Sequence, residues 1–310
     1  AMSANPLASM IVADHAYAGS ESYSRRADAD KDVFGMTHTM PVHQGRAAEH
    51  LLAKVFIGPG KYAIMNYHFT TTRAHVELAG GEVLELFGDG ALITDSQELF
   101  KGNMDIARLE AAIARHGAEN IGFIRMEATT NLIGGQPFSV DNLAAVKEVA
   151  GKHNIPLVFD GSLISENAYL VRQREPRHAK ASISEIIRAM MSYVDILYLS
   201  GRKSAGVRGG LIATNSPDHY NRLLPWLPVY EGFATYGGMS TKEVEAMAVG
   251  LREMCDLDVA GSGAEFVRYF VDRLCEVGVP VVTPAGGLAC HVDARRFAPH
   301  VPSAQYTAGA

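Results

Sequence analysis

The sequence predicts an α/β protein with a mostly parallel sheet covered on both faces, followed by a second, smaller α+β part. Three observations predict it. Apolar runs of strand length alternate with stretches of helical periodicity from Lys61 to Thr214. Polar clusters follow those strands, and in such sheets the loops at the strand carboxyl ends converge on one crevice. After about residue 257 the pattern changes to a helix and two short strands around Pro284-Ala-Gly286-Gly287. The expected division is residues 3–257 as a large domain and 258–310 as part of a small C-terminal one.

Composition bounds the function. The chain is 47% hydrophobic and 20% charged, an ordinary globular balance, and its net charge of −6 argues against nucleic acid as a partner. Cys255, Cys275 and Cys290 lie far apart and match no zinc spacing, so buried thiols in a reducing, cytoplasmic compartment are expected, with no metal. No apolar run is long enough to span a bilayer, and no secretory signal precedes the first element, so no membrane partner is expected. Ala1-Met2 reads as a remnant ahead of a natural start or an internal cut.

Taken in order, residues 3–40 are mixed, with a glycine turn at Tyr17-Ala-Gly-Ser20 and a helix over Asp28–Phe34 ending at Gly35. His43-Gln44-Gly45-Arg46 is a polar turn feeding an amphipathic helix through Leu51, Leu52 and Val55, and such a helix start is a ready anion site. Lys61–Asn66 is a strand, and Phe69-Thr70-Thr71-Thr72-Arg73 turns its exit into a helix. Glu82–Leu86 is a further strand, Asp105–His116 a helix and Asn120–Met126 a strand that leads to Thr130-Asn131. Val140–Ala150 is helical, Ile155–Phe159 is a strand closed by Asp160, and Leu163–Val171 is helical. The helix Ile183–Met191 enters the strand Asp195–Leu199, whose polar exit is Ser200-Gly-Arg-Lys203. Leu211–Thr214 is a short strand, helices follow over 242–256 and 263–277, and Val279–Thr283 pairs with Leu288–Val292.

Taken alone, Lys203 is a solvated lysine in a basic loop, Asp160 a helix N-cap and Phe69 a core ring. Together they match the needs of an aromatic aldehyde such as pyridoxal 5'-phosphate. An amine at a strand end beside Ser200 and Arg202 suits Schiff-base chemistry, which assigns Lys203. A carboxylate at the pyridine nitrogen keeps the ring withdrawing electrons, which assigns Asp160. Asn131 supplies a donor to the phenolic oxygen, Phe69 a stacking ring, and Gln44, Gly45, Arg46 and Ser200 a phosphate cup.

The motifs Tyr17-Ala-Gly-Ser, Pro41-Val-His-Gln-Gly-Arg46-Ala-Ala-Glu, Phe69-Thr-Thr-Thr-Arg73, Thr130-Asn131-Leu-Ile-Gly-Gly-Gln-Pro, Glu166-Asn-Ala-Tyr, Ser200-Gly-Arg-Lys203 and Val229-Tyr-Glu-Gly resemble the tyrosine phenol-lyase/tryptophanase family over about Met10 to Phe297. The resemblance implies the aspartate-aminotransferase-like fold (fold type I) and pyridoxal-phosphate-dependent β-elimination. It implies the same roles for Lys203, Asp160, Asn131, Phe69, Gln44, Gly45, Arg46 and Ser200. Tyr17 matches the tyrosine that protonates the leaving group across a subunit interface, which implies a homodimer or homotetramer. Thr70 stands where the phenol-lyase branch has a threonine near the phenol hydroxyl, so L-tyrosine, converted to phenol, pyruvate and ammonia, is the expected substrate.

The departures matter too. Leu163 occupies the position of a family arginine that holds the cofactor oxygen, and a leucine cannot donate. His15 replaces a ligand of the family's activating potassium, and Arg208 lies near the other ligand, so the monovalent cation is in doubt and the Arg208 guanidinium is expected to stand in for it. Both ends are short against the family, and the part that carries the arginine for the substrate carboxylate is not present. Three alternatives follow. One is a tryptophanase-type lyase on L-tryptophan. Another is a transaminase or aldolase of the same fold. The last is a truncated or diverged member that keeps the fold without turnover.

Overall fold

The computed structural model describes residues 2–16 and 18–305. Its frame is one seven-stranded sheet. The strands are β1 (His38–Val42), β2 (Tyr62–Met65), β3 (Glu82–Glu85), β4 (Ile121–Glu127), β5 (Leu157–Asp160), β6 (Ile196–Ser200) and β7 (Gly210–Thr214), in the order β1-β7-β6-β5-β4-β2-β3. β2, β3, β4, β5 and β6 run parallel, while β7 pairs antiparallel with both β6 and β1. The expected α/β class with a mostly parallel sheet is what the chain adopts.

The helices are α1 (Ala4–Ser9), α2 (Glu21–Phe34), α3 (Gly45–Phe56), α4 (Thr70–Leu78), α5 (Ile106–His116), α6 (Val140–Lys152), α7 (Ile164–Arg174), α8 (Ile183–Met191), α9 (Pro217–Leu223), α10 (Leu227–Tyr230), α11 (Thr241–Glu253), α12 (Leu257–Glu276) and α13 (Ala294–Phe297). Their ends follow local chemistry. The Asp105 carboxylate accepts from the Arg108 amide at the start of α5, and Ser182 and Glu185 form a capping box on α8.

The two-residue period of the strands sorts the sheet into two cores. Ile124, Met126, Leu157, Phe159, Leu197 and Leu199 face one core, shared with α5, α6, α7 and α8. Phe123, Val158, Ile196, Tyr198 and Ile212 face the other, shared with α3 through Ala48, Leu51, Leu52 and Phe56. Each such side chain, fully buried, contributes about 1.5–3 kcal/mol. By the same parity Arg125, Glu127, Asp160 and Ser200 project toward the α3 side, at or near the carboxyl ends of their strands.

Several expectations are corrected, beginning with the buried thiols: Cys275 is exposed and Cys255 and Cys290 are only half-buried. The helix expected over 28–34 begins at Glu21, because the Ser20 hydroxyl caps the Tyr23 amide at 3.0 Å; it ends as expected at Gly35, whose φ of 71° suits glycine. β1 was not expected, since Pro41 breaks the strand signal, yet on the edge of a sheet a missing N–H is tolerated. The pair Val279–Thr283 and Leu288–Val292 reduces to one antiparallel bridge between Val281 and Val292. Its ladder stops because the Thr283 amide bonds Thr94 O instead, at 2.9 Å, and Pro284 has none to give. No helix among the described residues is long and apolar enough to cross a membrane.

Candidate active site

A cavity of about 190 Å³ opens at the carboxyl ends of β5 and β6, under the start of α3. Gln44, Gly45, Arg46, Phe69, Asp160, Ser200 and Lys203 all line it, although they are scattered over 160 positions of sequence. Glu49, Thr71, Ser162, Tyr198 and Arg202 complete the wall. A larger apolar cleft of about 740 Å³, bounded by Leu92, Ile93, Leu132 and Phe297, contains none of the expected site residues.

The α3 terminus is built for close approach. A Cβ on Gly45 would stand 2.8 Å from Ser200 Cβ, and one on Gly210 would stand 3.1 Å from the Gly45 amide. Glycine at both positions lets the first turn of α3 rest on the corner of β6 and β7. The N-cap, Gln44, makes no side-chain cap, so the cavity meets a helix start with backbone donors and Arg46 beside it. This cradle, with Ser200 and Arg202, has the chemistry of a phosphate site.

Lys203 follows β6 in a turn held by Ser204, whose hydroxyl bonds Glu166 at 2.5 Å and the Ser162 carbonyl at 3.2 Å. The Ser200 amide donates to the Ser162 hydroxyl at 3.0 Å. The Lys203 amine stands 4.9 Å from the centre of the Phe69 ring. Phe69 is fixed as the N-cap of α4.

Behind the cavity lies a charged network that sequence reasoning missed. Asp160 Oδ2 accepts from Arg125 Nη2 at 2.6 Å and from the Tyr198 phenol at 2.9 Å, and Oδ1 accepts from the Ser162 amide at 3.0 Å. Glu127 accepts from Arg125 and from the Asn131 amide, each at 3.3 Å. Glu49 takes the hydroxyls of Thr71 and Thr72, both at 2.6 Å. Burial opposes charge on Asp160, but Arg125, then Lys203 and Ser162, hold its carboxyl below the usual range. Burial raises Glu49, with the Asp160 charge adding to it. Burial also pushes Glu127 up to about 7, against the opposing pull of Arg125. The signal available in sequence was Arg125 and Glu127 two residues apart inside an otherwise apolar strand, which puts both on one face.

Glu127 gives a pH prediction. A carboxyl whose folded pKa lies above its unfolded value stabilises the fold below the unfolded value, near 4.5, and that contribution is lost as pH rises through about 7. Thermal melts of the parent chain and Glu127→Gln between pH 4.5 and 8 check this. The parent's midpoint is expected to fall relative to the variant's as pH rises through that window; parallel profiles contradict the assignment.

The remaining expected residues lie elsewhere. Asn131 opens a short turn after β4 and does not line the cavity, though its amide reaches Glu127. Thr70 is exposed on the first turn of α4, and its neighbour Thr71 faces the cavity. Leu163 is buried at the entry to α7. Arg208 is exposed and 3.4 Å from Glu243, and His15 is exposed. Tyr17 lies outside the described residues. Among those residues, no group of three or more His, Cys, Asp or Glu side chains is arranged to hold a metal ion.

The fold is shared with solved enzymes of low sequence identity. Serine palmitoyltransferase of Sphingomonas wittichii superposes with a TM-score of 0.65 at 17% identity, over 94% of this chain and 68% of that one. An aminotransferase from Staphylococcus aureus gives 0.65 at 16% identity, over 93% and 74%. These show the fold to be fold type I. Within it, the family model of the β-eliminating lyases matches residues 1–309, and the chain belongs to that family of carbon–carbon lyases, which depend on pyridoxal phosphate. It is 41% identical over 309 residues to the tyrosine phenol-lyase of Clostridium tetani, covering 99% of this chain and 67% of that one. It is 39% identical over 309 residues to the tryptophanase of Salinibacter ruber, covering 99% and 65%.

Proposed function

We propose that the chain catalyses β-elimination of an aromatic L-amino acid, with L-tyrosine and water giving phenol, pyruvate and ammonia. The observation that carries this reading is the meeting of the Lys203 amine, the Phe69 ring, the Asp160 carboxylate and the α3 terminus around one cavity. These residues fit pyridoxal phosphate: Gln44, Gly45, Arg46 and Ser200 hold its phosphate, Phe69 stacks, and Asp160 pairs with its ring nitrogen. When bound, the cofactor supplies an aldehyde for amines and a ring that takes up negative charge.

Lys203 would hold the cofactor at its aldehyde through Nζ, with loss of water, and when free would take the proton from the substrate α-carbon. Asp160 keeps a proton on the ring nitrogen. Asn131 donates to the phenolic oxygen. Tyr17 of a neighbouring subunit delivers a proton to the leaving aromatic carbon, and Thr70 meets the phenol hydroxyl. The shared site makes the working form a homodimer or homotetramer. Residues 3–257 then form the cofactor-binding domain and 258–310 belong to the small one. Thr70 and the similarity to the Clostridium tetani enzyme favour L-tyrosine. A second reading, a fold without turnover, draws on Leu163, an apolar group where the family places an arginine.

Pyruvate release from L-tyrosine, L-tryptophan and S-methyl-L-cysteine separates these readings. L-Tyrosine is expected to be the best of the two aromatic substrates. A preference for L-tryptophan moves the assignment to a tryptophanase-type lyase. Cofactor binding with no pyruvate from any of the three establishes the second reading.

A further inference from the structure

Arg125 is fully buried on β4, beneath the cavity, and is the hub of its charged network. Besides its 2.6 Å bond to Asp160, Nε donates to the Tyr198 phenol at 2.8 Å, and Nη1 reaches Glu127 Oε2 at 3.3 Å and Tyr67 O at 3.4 Å. Three carboxyl groups, those of Glu49, Glu127 and Asp160, surround this one guanidinium. Its shortest bond goes to Asp160, whose Oδ2 also takes the phenol proton of Tyr198. The same carboxylate is fixed from the other side by the Ser162 amide on Oδ1. The donors hold the carboxyl plane from β4, β6 and the loop after β5, while Asp160 itself lines the cavity.

We propose that Arg125 is a positioning residue for the lyase reaction, acting through Asp160: it holds that carboxylate charged and oriented toward the cofactor's ring nitrogen. The proposal rests on the role given to Asp160 above. A network kept only for stability has no need of this charge, since buried ion groups are matched or exceeded by apolar packing of the same volume. A buried carboxylate that must stay ionised is favoured by a fixed cation beside it. Tyr198 is the second member of the same device, because its single phenol proton reaches the oxygen that Arg125 holds.

The test titrates cofactor-free protein with pyridoxal phosphate and with its 1-deaza analogue, in which a C–H replaces the ring nitrogen. Affinity is measured by fluorescence for the parent, Arg125→Lys and Tyr198→Phe. Arg125→Lys is expected to weaken pyridoxal phosphate roughly tenfold, as loss of a charged hydrogen-bond set predicts, and the analogue by no more than about twofold. Tyr198→Phe is expected to show the same selectivity with a smaller loss. Equal losses for both ligands, or no loss in either variant, overturn the proposal and leave the functional reading intact. A parent chain that binds no pyridoxal phosphate overturns both. If Arg125→Lys does not fold, Tyr198→Phe, which retains the guanidinium, decides the matter alone.

Discussion

Lys203→Ala is expected to lower pyruvate release from L-tyrosine by about 10³-fold or more while leaving the fold intact. The amine carries two roles in the proposed reaction, anchoring the cofactor and moving the α-proton, and a positioned base alone accounts for roughly 10²–10⁴ in rate. The side chain is half-buried, stands over Phe69 and closes no core, so truncation costs little stability. Steady-state kinetics with a thermal melt on the same preparation check both halves. Retention of more than about a tenth of the parent rate contradicts the role, because no other lysine lines the cavity.

Asp160→Asn is expected to cost about 10²–10³ in kcat, the range for removing one preorganised electrostatic partner. Unlike the lysine variant, it also costs stability. The neutral amide removes the charge of the nearest partner of the Arg125 guanidinium in a fully buried site, where breaking an ion pair typically costs about 3–5 kcal/mol, an upper bound here because Glu127 and Glu49 remain beside it. The pH dependence has a definite sign. Asp160 is held below the usual carboxylate range, so its contribution is present above the unfolded pKa and is lost as pH falls through the lower folded value. The gap in melting midpoint between parent and Asp160→Asn is therefore expected to narrow toward acid pH. Denaturation profiles from pH 3 to 8 measure it, and a gap that widens toward acid contradicts the ionised assignment.

How much of this was legible in sequence depended on which physical signal a residue leaves. Strands β4, β5 and β6 were legible because continuous apolar runs bounded by helical periods mark buried parallel strands. Asp160 was legible because it closes such a run, and Lys203 because it follows one within three residues. β1 was hidden by Pro41 and by its short edge position, and the first two turns of α2 by a polar sequence whose start is set by the Ser20 cap. Arg125, Glu127, Glu49 and Tyr198 were missed for a different reason. Inside an apolar strand or an amphipathic helix, a charged residue or a tyrosine reads as noise until the fold shows that Arg125 and Tyr198 both reach the Asp160 carboxylate, with Glu127 beside Arg125 and Glu49 beside Tyr198. Thr70 and Asn131 sit in clear motifs after strands, but neither is part of the cavity wall, which takes in Thr71 next to Thr70.

The central claim is that the Lys203 amine is the group that takes the cofactor. Borohydride reduction of the chain loaded with pyridoxal phosphate, followed by peptide mapping, tests it most directly. One modified peptide is expected, containing Ser200-Gly-Arg-Lys203, with the label on Lys203 and none in Lys203→Ala. A label on any other lysine, or an unchanged label in the variant, contradicts the account.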